Sequence, residues 1–203
     1  YRADVWFNGQ RLDTQDKVVG VFRRYEYDVT ALARAGEANV VAVEVVGPEP
    51  HDLAIMWVDW NPTPPDKNLG LWGDVYLTHS GPIALRNPHV VSKLPLPVLD
   101  SARVSVTAEL VNTTDRPVNG IVRGAIEDVQ FAKRVSLRPR EKSLLRFTPD
   151  DVKSLTFQKP RLWWPYRMGE PNLYTLALDV EVDGAVSDRQ DVRFGIQQMT
   201  DEL

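Results

Sequence analysis

The hydrophobic pattern of this chain has a period of two almost throughout, which admits β-sheets and leaves no room for helices as the main element. "ADVWFNGQRL" (3–12) alternates and is broken by Asn8-Gly9. That dipeptide readily supplies the two positive φ angles of a tight hairpin turn. "RRYEYDV" (23–29) sets Tyr25, Tyr27 and Val29 against charges, and "NVVAVEVV" (39–46) is a run of β-branched residues. Between them "DVTALARAGEA" predicts a single short turn of helix, with Asp28 or Thr30 as its cap and Gly36 as its end. No long amphipathic helix, internal repeat or low-complexity tract is present.

After Gly47 the alternation dissolves and returns in "DVYLTHS" (74–80). "GPIALRNPHVVSKLPLPVLD" then brings Pro82, Pro88, Pro95 and Pro97. Proline cannot donate to a ladder and stiffens extended chain, so a domain boundary is expected near 82–88. The second half is again strand. "ARVSVTAELVN" (102–112) points Val104, Val106, Ala108 and Leu110 inward; "GIVRGAIED" and "KSLLRFTP" follow; "NLYTLALDVEV" and "VSDRQDVRFGI" flank Asp183-Gly184, a second hairpin signal. Roughly seven short strands with turn signals every ~8–12 residues mark an immunoglobulin-like sandwich. The chain has no cysteine, so this sandwich is of the disulfide-free kind.

The bulk numbers narrow the partners. The 203 residues are 43% hydrophobic and 26% charged, enough for one large or two small domains with a packed core. The net charge of −4, with 24 Lys and Arg scattered and forming no basic stripe, argues against nucleic acid. No apolar run reaches the ~18–20 residues that cross a bilayer as a helix. The absence of cysteine removes thiolate metal sites and leaves the compartment undetermined. His51, His79 and His89 have no ligand spacing, so no metal or other cofactor is expected. Asn112-Thr113-Thr114 is a formal glycosylation sequon, a motif too short to carry weight.

One stretch fits neither period. "WVDWNPTPPDKNLGLWGDVYL" (57–77) holds three of the six tryptophans in a loop stiffened by Pro62, Pro64 and Pro65. A stiff loop holds its side chains in place with little ordering cost.

Here a family resemblance enters. "ADVWFNGQRL", "FRRYEYDVTALARAGEANVVAVEV" and "DWNPTPPDKNLGLWGDVYL" together resemble the sugar-binding jelly roll of glycoside hydrolase family 2. "PRLWWPYRMGEPNLYTLALDVEV" and "FGIQQ" resemble the end of the immunoglobulin-like domain that follows it. The form of the first loop is most similar to the exo-β-D-glucosaminidase branch, with β-mannosidase next. The resemblance covers almost the whole chain. It implies an all-β fold: part of a galactose-binding-like jelly-roll sandwich over 1–84, lacking its first strands, then an immunoglobulin-like β-sandwich over 85–198, then a linker start at 199–203. In the family a TIM barrel follows and carries two catalytic glutamates. No catalytic residue is therefore expected here, and the expected partners are the enzyme's own barrel and a carbohydrate substrate.

The resemblance also implies site residues. Asp59 and Trp60 match an Asp-Trp pair on a loop that reaches the barrel mouth. Asp59 is expected to meet the amine of a glucosaminyl unit, or a hydroxyl of a mannosyl or galactosyl unit, in the intact enzyme. Trp57 and Trp72 are expected to plug the sandwich end or the barrel interface. Asn61, Asp66 and Asn68 are expected to cap the loop. Trp163, Trp164, Tyr166 and Tyr174, clustered around Pro165, are expected to fill core or interface. The implied role is a non-catalytic accessory to hydrolysis of chitosan oligosaccharides. Alternatives are a β-mannosidase or β-galactosidase segment, a free carbohydrate-binding module, or a purely structural pair of sandwiches.

Overall fold

A computed structural model describes residues 1–49, 65 and 69–200. The chain is all-β; among the described residues the only helical element is a 3₁₀ turn at Lys153–Leu155. It divides into two compact units, Tyr1–Tyr76 and Leu77–Leu203.

The first unit holds a three-stranded antiparallel sheet of β1 (Arg2–Phe7), β2 (Gln10–Asp13) and β3 (Val41–Val46), in the order β2-β1-β3. Asn8 and Gly9 form the β1–β2 turn with φ of 49° and 82°. Ala3, Val5 and Phe7 bury one face of the central strand β1. Asn8 also ties distant chain together. Its amide nitrogen donates to Leu32 O and Asn39 Oδ1, and its Oδ1 accepts from Val40 N–H, each at 2.9 Å. The expected short turn is present: Ala33 N–H reaches Val29 O at 2.8 Å, and Asp28 Oδ1 caps Thr30 N–H at 3.0 Å.

Among the described residues, two expected strands of this region form no ladder. Residues 23–29 keep their alternation, with Tyr25, Tyr27 and Val29 half-buried and the charges outside, yet they are not strand. Residues 74–80 are likewise not strand, and 74–79 are exposed. Alternation sorts side chains between two faces. A ladder also needs a neighbour's N–H and C=O groups in register, which sequence period does not supply.

The second unit is a two-sheet sandwich. One sheet has the order β11-β10-β6-β7, from β11 (Ala185–Phe194), β10 (Tyr174–Val182), β6 (Val118–Ile126) and β7 (Val129–Leu137). The other has the order β4-β5-β8, from β4 (Ile83–Lys93), β5 (Ser101–Asn112) and β8 (Lys142–Phe147), with β9 (Thr156–Gln158) also on β5. An immunoglobulin constant domain keeps its fourth strand beside its fifth; here the fourth strand, β7, stays paired with β6. The core is built by period-two positions of both sheets. Val104, Val106, Ala108 and Leu110 of β5 face Leu176, Leu178 and Val180 of β10, and all are buried. Burying each of these Val and Leu side chains contributes about 1.5–3 kcal/mol.

Two features of this unit depart from the sequence expectation. The proline-bearing stretch near 82–88 is a strand, β4, and not a linker. The boundary therefore falls at Tyr76/Leu77, ahead of 84/85, because Ile83 and Ala84 already pair with Asn112 and Val111. Pro88 is tolerated because β4 is an edge strand and its register shifts between Arg86 and His89. β7, "VQFAKRVSL", was not among the expected strands, although Val129, Phe131, Val135 and Leu137 share one phase of it and only Lys133 interrupts them. Phe131 lies across from Gly124, and a Cβ on Gly124 would come within 2.1 Å of the Phe131 ring.

Candidate functional site

Asp59 and Trp60, the predicted sugar contacts, lie outside the described residues, as do Trp57, Asn61, Asp66, Asn68 and His51. The described end of their loop is Leu69–Trp72, and the backbone that receives it is Val19–Tyr25. Trp72 Nε1–H donates to Val21 O at 3.0 Å. The Phe22 ring meets the indole edge-on, with centroids 5.7 Å apart and planes at 72°. Both rings are 74% exposed. Among the described residues, Trp72 is held by its N–H edge and by the Phe22 ring.

The receiving backbone is held from several sides. The Tyr25 hydroxyl accepts from Val19 N–H and donates to Val19 O, both at 2.9 Å. Arg23 Nη1 donates to the same carbonyl at 3.2 Å while its guanidinium lies 5.3 Å from the Tyr25 ring centroid. Gly20, at φ 119°, donates its N–H to Tyr1 O at 3.0 Å. A left-handed φ of that size is open mainly to glycine. Sequence reading missed Phe22. Its signal was available: the even positions 24, 26 and 28 are the charged, exposed phase of this run, and Phe22 is a large apolar residue in that phase.

The aromatic cluster of the second unit is largely structural. Trp163 N–H donates to Ile196 O at 3.0 Å and Trp164 N–H to Glu170 O at 3.1 Å, while Asn172 Nδ2 donates to Leu162 O at 2.9 Å. Trp163 lies on Gly195 so closely that a Cβ there would sit 2.6 Å from the tryptophan Cβ. This explains "FGI" physically: Phe194 stacks on Tyr174 at 5.7 Å, Gly195 makes room for the indole, and Ile196 is buried. Tyr174 is buried, and its hydroxyl accepts from Arg161 N–H at 2.8 Å. The Arg161 guanidinium lies 4.8 Å from the Tyr174 centroid and is also paired with Glu127. Tyr166 differs from the others: it is 87% exposed, with the Arg167 guanidinium 5.3 Å from its ring.

The remaining chemistry of the described residues is quiet. No group of three His, Cys, Asp or Glu residues is placed to hold a metal. The two carboxyls with shifted titration are exposed and both are held low: Asp115 by hydrogen bonds and charge from Arg140, Glu141 by the backbone N–H and side chain of Arg138. An open groove of about 510 Å³ crosses Gly120 between Arg134 and Glu181, and no aromatic ring lines it. Asn112 of the sequon is fully buried. Its amide donates to Arg116 O at 2.7 Å and Arg138 O at 2.8 Å, and its Oδ1 accepts from Thr114 N–H and Oγ1–H.

With this geometry in hand, comparison with known proteins is decisive for kinship. The sequence profile described as "Glycosyl hydrolases family 2" matches residues 83–197, more than half of the chain. The chain belongs to glycosyl hydrolase family 2. An exo-β-D-glucosaminidase of Streptomyces avermitilis is 38% identical over 97% of this family 2 chain, and one of Amycolatopsis orientalis is 36% identical over 98%. The chain spans about a fifth of their length, 22% and 19% respectively. The crystal structure of the Amycolatopsis orientalis exo-chitosanase superposes with a TM-score of 0.85 at 35% identity, covering 96% of this chain and 22% of that one. A Bacteroides uniformis β-glucuronidase shares the fold at 15% identity, with a TM-score of 0.67 over 96% of this chain and 23% of its own.

Proposed function

We propose that this family 2 chain is a non-catalytic accessory segment of an exo-β-D-glucosaminidase acting on chitosan oligosaccharides. It buttresses the catalytic barrel and shapes the pocket for the terminal sugar. In that pocket Asp59 meets the amine of the glucosaminyl unit and Trp60 lies against the sugar face. The observation that carries this reading is the run of curated relatives bearing that name, at 31–38% identity over nearly the whole chain. A mannosylglycoprotein endo-β-mannosidase of Lilium longiflorum is 28% identical. The all-β scaffold supports a buttressing role, since sandwich edges and loop ends carry exposed apolar side chains that another surface can cover.

The test uses the longer parent enzyme with Asp59→Ala and Asp59→Asn. Hydrolysis of an aryl β-D-glucosaminide and an aryl β-D-mannoside is followed. Losing a hydrogen bond to a charged group costs about 1.5–3 kcal/mol, so kcat/KM for the glucosaminide is expected to fall roughly tenfold to a hundredfold. An unchanged kcat/KM would remove Asp59 from the pocket. A wild-type preference for the mannoside would move the reading to the β-mannosidase branch. Glycoside hydrolysis by the 203-residue chain alone would end the accessory reading.

A further inference from the structure

The Asn8 side chain acts as a latch. Its amide donates to Leu32 O and Asn39 Oδ1, and its Oδ1 accepts from Val40 N–H, so the β1–β2 turn is closed onto both the short turn and the entry to β3. Asn39 is fixed in its turn. Its Oδ1 accepts from Arg34 N–H at 2.9 Å, and its amide donates to Arg34 O at 2.9 Å and Glu37 O at 3.1 Å. Asn8 is followed by Gly9, and a glycine nitrogen reaches the preceding side-chain carbon most readily because no Cβ hinders its approach. We propose that Asn8 is a deamidation site, gated by opening of this latch, and that its product cannot close the latch again.

The chemistry needs only water. Gly9 N attacks Asn8 Cγ and a C–N bond forms; the amide nitrogen leaves as ammonia, carrying the Gly9 proton. The cyclic imide then takes up one water and opens as aspartate or isoaspartate. In the closed latch three bonds fix Cγ, so reaction waits on opening. Gly9 is exposed, and a Cβ there would meet nothing within 4 Å, so solvent reaches the turn. The chain's other Asn-Gly pair, Asn119-Gly120, has the more exposed asparagine. It lies flat in β6, opposite Ser136 and Val135 of β7, with β10 on the strand's other side. That strand belongs to the large buried core, so its opening costs more than that of the lightly packed β1–β2 turn. Conversion of Asn8 replaces both donor hydrogens by a carboxylate facing two acceptors, Leu32 O and Asn39 Oδ1. Asn39 cannot turn its amide over to meet it without breaking its bonds to Arg34 and Glu37. Isoaspartate also lengthens the backbone of a two-residue turn whose geometry sets the strand register.

The experiment ages the 203-residue chain at mildly alkaline pH and follows both Asn-Gly pairs by peptide mapping, with the free peptide ADVWFNGQRL as the unprotected reference. Asn8 is expected to convert more slowly than in the peptide and at least about tenfold faster than Asn119. Urea below the unfolding midpoint, and separately Asn39→Ala, are expected to bring the Asn8 rate toward that of the peptide. The aged chain and Asn8→Asp are expected to share a lowered urea midpoint for the first unit. Asn8 converting as fast as in the peptide, or no faster than Asn119, would overturn the proposal, as would a converted chain that unfolds at the wild-type midpoint. The urea series needs no variant, so it reads the gate even where Asn39→Ala does not fold: an Asn8 rate indifferent to urea would remove the gate.

Discussion

Asn112 takes the last inward position of β5, in the same phase as Val104, Val106, Ala108 and Leu110, and so a polar side chain ends a column of apolar ones. It is held there because its donors and acceptors all find partners in the two adjoining turns; an unsatisfied amide at that place would cost about 1–3 kcal/mol. The sequon is thus a folding element whose nitrogen is already spoken for. Tyr27 shows the same logic with a titrating group. Burial, and then the charge and hydrogen bond of Asp13, push its hydroxyl up to about 12. Below about pH 10 Tyr27 is protonated in both the folded and the unfolded chain, and its contribution to stability is complete. As pH rises from there toward 12, the unfolded chain releases the proton first, so stability falls through that window. The urea midpoint of the first unit is expected to drop over that range in the wild type and to drop less in Tyr27→Phe. Identical slopes would show that Tyr27 is not the responsible group.

At the scale of elements, the edge strand β4 decides how the sandwich closes. A bare edge invites pairing with another chain. Here side chains and backbone next to it cover the edge. Ser187 Oγ accepts from Ile83 N–H at 2.9 Å and donates to Ile83 O at 2.7 Å; Asp188 Oδ2 accepts from Leu85 N–H at 2.8 Å and pairs with Arg86; Gln198 Oε1 accepts from Leu94 N–H at 2.6 Å. Ser187→Ala leaves both polar groups of the buried Ile83 backbone unpaired. A loss of about 1–3 kcal/mol is expected by urea unfolding of the second unit. A change within a few tenths of a kcal/mol would mean that the seam is held elsewhere. None of this was legible in "VSDRQDV", where Ser187 and Asp188 read as ordinary residues of an alternating strand. β5 and β10, by contrast, were legible to within a residue or two, because a central strand's inward column is written in its own sequence. The candidate site divides the same way. Trp72 was visible as a large aromatic in an irregular loop, whereas its exposure and its bond to Val21 depend on a segment about fifty residues away.

At the scale of the molecule the two units are unequally built. Every residue of the large buried cluster, from Ile83 to Ile196, belongs to the second unit, while among the described residues of the first the buried apolar residues are Ala3, Val5, Phe7 and Pro48. Opening free energy follows buried apolar contact. Hydrogen exchange is expected to be slowest in β5 and β10 and faster throughout β1–β3, with two separable unfolding transitions in urea. A single transition with uniform protection would show that the first unit draws its stability from the second.

The amino-acid sequence by itself determined the all-β class, the Asn8-Gly9 and Asp183-Gly184 turns, the inward columns of the central strands and membership of family 2. Each of these is local: a turn needs two residues, a strand face needs a period of two, and a family is written in short motifs. The tertiary structure alone decided that 23–29 and 74–80 join no ladder among the described residues, that the proline-bearing stretch becomes β4, and that Phe22 meets Trp72. Those outcomes depend on which distant groups arrive in register and on how much surface they cover. Neither quantity is a property of any short stretch of chain.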